Sequence, residues 1–173
     1  LTEENIYVLD SPIITNSQFK KFKKFFSKKT KVIDCTFEIS SSLKDRIEAI
    51  REEAETSVRE GSTCLILSDR NITDQKASIP SILIVGAVHS HLVKLGLRGY
   101  CSLNVECSDA LDTHSFAILI GVGATTVNPY LAIDSIYQRF EKKLFGKSDF
   151  ESCVVKFKKS IDACLLYTSD AAD

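Results

Sequence analysis

The sequence predicts an α/β fold of alternating strands and helices. Its sheet is expected to be mostly parallel, as an open sheet or a partial β/α barrel. Three observations predict this. Short apolar runs alternate with longer segments of three- and four-residue apolar spacing. The run Thr63–Leu67 is continuously apolar, as in a strand covered on both sheet faces. Strands that alternate with helices pair in parallel and place the helices outside.

Taken in order, residues 1–15 read as an irregular lead-in with a turn at Leu9–Ile13. Asn16 or Ser17 can cap a first helix carrying Phe19, Phe22, Phe25 and Phe26 on one stripe. Lys31–Asp34 reads as a short strand. Ser42 and Asp45 have capping-box spacing, and Leu43, Ile47, Ile50, Ala54 and Val58 form an apolar face ending at Gly61. After Thr63–Leu67 comes a polar loop to Ile79. Pro80 can open a helix, because its missing N–H is not needed in the first turn. That helix closes near Leu95, before Gly96. Cys101–Glu106 alternates apolar and polar, as in an edge strand or one with an open face. His114–Ile120 reads as a helix and Thr125–Asn128 as a strand. Asn128–Pro129 is expected to cap a helix reaching Lys143, and Ser148 with Glu151 the last helix. Near Tyr167–Ser169 that helix is expected to break. The ending CLLYTSDAAD looks like translated sequencing-adapter read-through, so residues 1–165 are taken as one domain and 166–173 as a non-native tail.

Composition excludes several classes. Twenty-two Lys and Arg against 23 Asp and Glu argue against a wholly basic nucleic-acid binder. A hydrophobic share of 44% argues against disorder. The apolar runs Ile82–Val88 and Ala117–Ala124 are far short of the ~18 residues of a membrane span. Leu1–Pro12 is acidic and mixed, unlike a secretory signal, and the lack of Met points to a piece of a longer chain. The six Cys lie in apolar surroundings with few turn residues, which fits reduced, mostly buried thiols and a cytoplasmic compartment.

Local motifs are modest. Lys20, Lys21, Lys23, Lys24, Lys28, Lys29 and Lys31 interleave with Phe, as in a solvated helix whose Phe stripe packs inward. His89 and His91 are two apart and point in different directions on a helix, a poor zinc spacing. Gly121 and Gly123 fit a helix-to-strand turn better than a dinucleotide loop. Ser68-Asp69-Arg70, at the end of a buried strand, can grip an anion or a partner domain, or brace the loop to Pro80. On residues alone, an independent α/β domain binding a small anionic ligand is one reading.

Several blocks in one order resemble the central domain of the glutamate synthase large subunit: Leu65–Arg70, Ile79–Leu83, Gly86–Leu92, Gly96–Arg98, His114–Gly123 and Val127–Ala132. The resemblance implies an oxidoreductase that forms glutamate from glutamine and 2-oxoglutarate with reducing equivalents. It implies a connector between an amidotransferase domain and an FMN domain, contributing to the ammonia route and inactive alone. FMN and an iron–sulfur cluster are implied for the neighbouring domain, with no cofactor, metal or catalytic residue in this span. The implied partners are those two domains and, through the parent, a reductase subunit or ferredoxin; neither nucleic acid nor membrane is implied. An organelle is an alternative location in a eukaryotic source. Ser68, Asp69, Arg70, His89, His91 and Asn128 are the expected interface or channel-supporting residues.

Overall fold

A computed structural model describes residues 7–170. Residues 1–6 of the expected lead-in and 171–173 of the expected tail lie outside the described residues. Among the described residues there are six strands: β1 (Thr30–Asp34), β2 (Thr36–Glu38), β3 (Cys64–Ser68), β4 (Lys76–Ser78), β5 (Ser102–Glu106) and β6 (Thr126–Asn128). The helices are α1 (Asn16–Phe25), α2 (Leu43–Arg59), α3 (Ser81–Lys94), α4 (Thr113–Gly121), α5 (Tyr130–Glu141) and α6 (Phe150–Asp170).

The main sheet is parallel throughout and ordered β1-β3-β5-β6. The strands succeed one another in chain order with no reversal, so the sheet is wound like a stretch of β/α barrel left open, not about a switch point. One face carries Ile33, Leu65, Leu67, Leu103, Val105 and Val127. Against it pack Ile50, Ala54 and Val58 of α2, Val85 and Val88 of α3, Phe116 of α4 and Ile161 of α6. The other face is covered by α1, whose Phe19 and Phe22 meet Cys64 and Ile66. Phe25, at 45% exposure, leaves the expected stripe for the surface.

Local chemistry explains the helix ends. Gly61 (φ +97°) ends α2 with its N–H on the Val58 carbonyl and the Ser62 N–H on that of Ser57. Only a residue free of a Cβ takes that left-handed turn without strain. Ser42 Oγ accepts the Asp45 N–H (3.3 Å) at the start of that helix, as expected.

Elsewhere the structure corrects the sequence reading. Thr15, not Asn16 or Ser17, caps α1, because Thr15 and Gln18 complete a reciprocal capping box. Asn128 is the last residue of β6 and not a helix cap; Pro129 holds that place and α5 stops at Glu141. Asp149 replaces Ser148 at the start of α6, its carboxylate accepting the Ser152 N–H (2.8 Å). That helix continues to Asp170 without the expected break; neither Gly nor Pro interrupts it. β5 is a central strand buried on both faces, not an edge. Its alternation misleads because Asn104 is fully buried, donating to the Leu65 carbonyl and accepting from Thr126 Oγ1. The loop after β3 hides β4, which pairs antiparallel with β2. Each has three residues, too few for a two-residue period to show.

Candidate functional site

The last residues of the four main strands, Asp34, Ser68, Glu106 and Asn128, stand side by side in register. Two-residue alternation places them on the face α1 covers, at the carboxyl end of the sheet. A polar row there lies at the end of the sheet where β/α barrels carry their functional groups.

Glu106 is its centre and is 5% exposed. Its Oε2 accepts from Ser68 Oγ (2.8 Å), and its Oε1 from Arg70 Nε (2.9 Å) and Lys23 Nζ (3.5 Å). The buried carboxylate is thus compensated by two half-exposed cations and a hydroxyl. Arg70 also lies on the Tyr130 ring, its Cζ 3.9 Å from the centroid, a cation–π contact.

Asp69 does not pair with Arg70. It turns to Ser108, accepting from that residue's N–H (2.9 Å) and Oγ (2.6 Å), while its other oxygen is buried without a hydrogen bond. Burial pushes the Tyr130 phenol well above its ordinary range, helped by the neighbouring charge of Asp69. The phenol therefore stays protonated. Asn128, fully buried, donates to the Ile14 carbonyl (2.8 Å) and to Asn16 Oδ1 (3.0 Å), tying the lead-in to the sheet. Asp34 accepts from Thr36 and Asn71. Burial raises its carboxyl, but these hydrogen bonds win and hold it below the usual range.

Ser68, Asp69, Arg70 and Asn128 thus share one edge, whereas His89 and His91 enter two other networks. His91 lies between α3 and α2, with Arg51 Nη2 donating to Nδ1 (3.1 Å) and Nε2 donating to Glu55 (3.0 Å). Arg51 can only donate, so the proton sits on Nε2. His89 Nδ1 accepts from Arg98 Nε (3.2 Å), and Arg98 also holds the carbonyls of Cys101 and Gly123. Gly123 (φ +118°) lies so close that a Cβ there would clash with the His89 ring. Crowding relieved by glycine is therefore its role.

Sequence reasoning missed Glu106, Ser108 and Tyr130, and saw Lys23 only within the basic run. The pairing of Ser68 with Glu106, 38 residues apart, is a product of strand register. Between α1, α5 and the sheet edge lies a cavity of about 450 Å³, lined by Lys20, Lys23, Arg70, Glu106, Asn128 and Asp134 with Phe19 and Asn16. Such an edge can hold a charged small molecule or seat a polar partner surface.

Among the described residues, no group of three or more His, Cys, Asp or Glu is placed to hold a metal ion. Cys35, Cys64, Cys101 and Cys107 are buried, Cys153 is half-buried and Cys164 exposed; among the described residues no disulfide joins them. The cysteines do not fit an iron–sulfur cluster. Nor is any helix among the described residues long and apolar enough to cross a membrane.

The family model for the glutamate synthase central domain matches residues 2–168. The glutamate synthase [NADPH] large chain of Azospirillum brasilense is 42% identical over 168 residues, covering 95% of this chain and 11% of that protein. The corresponding large chain of Bacillus subtilis is 36% identical over 157 residues, covering 88% and 10%. The ferredoxin-dependent glutamate synthase of Pyropia yezoensis is 34% identical over 173 residues, covering 91% and 11%. The chain spans about a tenth of the length of these relatives.

Proposed function

The chain belongs to the glutamate synthase central-domain family, and from that premise we propose that it is the connecting module of a glutamate synthase. The parent enzyme forms glutamate from glutamine and 2-oxoglutarate with reducing equivalents, an oxidoreductase reaction of ammonia assimilation. In this reading the module links the glutaminase and FMN domains and contributes to the ammonia route. FMN and the iron–sulfur cluster belong to the neighbouring domain. There the flavin supplies reducing equivalents; the residues of this span hold shape and charge. The partners are those two domains, with a reductase subunit or ferredoxin reached through the parent. The compartment is the cytoplasm, or an organelle in a eukaryotic source.

One observation carries the reading: the family match spans residues 2–168, nearly the whole chain. The ordered edge of Ser68, Asp69, Arg70 and Asn128 supports an interface role, with polar groups fixed by their neighbours and no paired nucleophile and base among them. His89 and His91 support the same role by bracing α3 against α2 and against the turn at Gly123. Residues 1–165 are the native module in this reading and 166–173 a non-native tail; reading the DNA across that junction tests it.

The central test is the flanking coding sequence, with an amidotransferase expected before Leu1 and a flavin-binding barrel beyond the module. Purified alone, the chain is expected to show neither glutaminase activity nor flavin colour. Stoichiometric FMN or turnover of glutamine by the isolated chain would overturn the reading.

A further inference from the structure

The cavity at the carboxyl edge of the sheet has a charge pattern of its own. Lys20 and Lys23 of α1 and Arg70 beyond β3 bring three cations to it, and Glu106 and Asp134 bring two carboxylates, leaving one net positive charge. Phe19 supplies an apolar wall, with Lys23 Nζ 4.8 Å from its ring centroid. The two carboxylates are not equivalent. Glu106 is already met by Ser68, Arg70 and Lys23. Asp134, on the opposing α5, takes only the Asn16 amide among the described residues (3.1 Å). The cations are likewise uneven: Lys20 is exposed at the mouth, while Lys23 and Arg70, themselves partly exposed, both lie against Glu106. A simple anion would satisfy the lysines and repel Asp134. A simple cation would face three like charges.

We propose that this cavity binds an acidic α-amino acid. Two carboxylates with one ammonium carry a net charge of minus one, the complement of the lining. One carboxylate meets Lys20 and Lys23, the other meets the outer guanidinium nitrogens of Arg70, and the ammonium meets Asp134. The methylenes between them lie on Phe19. At about 450 Å³ the space is of the size small-molecule pockets have. The assignment rests on this lining and not on the family reading, so either can fail without the other.

The test uses the full-length protein carrying this chain, and a readout local to the cavity. Hydrogen–deuterium exchange is followed in peptides covering Asn16–Phe25 and Thr126–Glu141, with L-glutamate and glutarate as probes. Glutarate has the two carboxylates and lacks the ammonium. L-Glutamate should slow exchange in both peptides at a concentration about tenfold below that needed for glutarate, because a charge-assisted hydrogen bond is worth about one decade or more. Asp134→Asn should remove that preference and leave glutarate protection in place. Lys20→Ala should weaken protection by both probes, and Lys24→Ala, one turn along on the exposed side, by neither. No protection by L-glutamate, equal protection by glutarate, or an equal loss in Lys24→Ala would each overturn the proposal.

Discussion

Glu106 and Gly123 show how much single residues carry in this fold. Ser68→Ala would leave Glu106 Oε2 buried without its donor, at a cost of about 1–3 kcal/mol. Chemical denaturation should register that loss as a lower midpoint with an unchanged slope. Gly123→Ala meets two obstacles, a left-handed backbone and the His89 ring, and is expected to cost about 1–3 kcal/mol. Restoring stability with His89→Ala in the same background would identify the ring as the obstacle. The cysteines differ chiefly by burial. Burial pushes the Cys35 thiol up to about 12 and raises that of Cys107 as well. Maleimide under native conditions should therefore label Cys164 first and Cys153 next, with the four buried thiols reacting only on unfolding; mass spectrometry of timed aliquots reads the order.

At the scale of elements, the caps and the small sheet make separable contributions. Thr15→Ala removes one half of the reciprocal box that starts α1 and should cost about 1 kcal/mol. The loss should appear as faster amide exchange in Asn16–Phe25 before the rest of the molecule is affected. Asp34, at the end of β1, ties the start of β2 to the loop after β3, its carboxylate accepting from Thr36 on one side and Asn71 on the other. Its folded carboxyl titrates below the usual range, while in the unfolded chain it titrates near ~3.9. The stabilisation is therefore complete above the unfolded value and is lost as pH falls through the folded one. Asn71→Ala should narrow that window, so its denaturation midpoint should differ from that of the parent chain above pH ~4 and converge with it in acid.

For the whole molecule, what matters is which faces come together. The apolar face of the sheet, the Phe stripe of α1 and the spacing of α2 were legible in the sequence, because burial imposes the period of two or of 3.6 on the residues themselves. The alternating order of strands and helices and the parallel pairing followed from the same patterns, and the family followed from blocks shared with its members. The buried polar row was not legible. Asn104, Glu106 and Asn128 are residue types found mostly at surfaces, and only the assembled fold supplies the partners that let them be buried: the Leu65 carbonyl and Thr126 for Asn104, Ser68 and Arg70 for Glu106, the Ile14 carbonyl and Asn16 for Asn128. β5 therefore read as an edge strand or one with an open face, and Asn128 as a cap. The six expected site residues divide for the same reason: Ser68, Asp69, Arg70 and Asn128 end strands of one sheet or follow them, while His89 and His91 lie on a helix that carries them to other partners. By itself the sequence determined the class of fold, the family and the core-facing stripes, since these depend on periodicity and composition. Tertiary structure alone decided the winding order of the sheet, the central place of Glu106 and the mixed-charge cavity beside it. Those depend on contacts between residues far apart in the chain, and no local pattern encodes a distant partner.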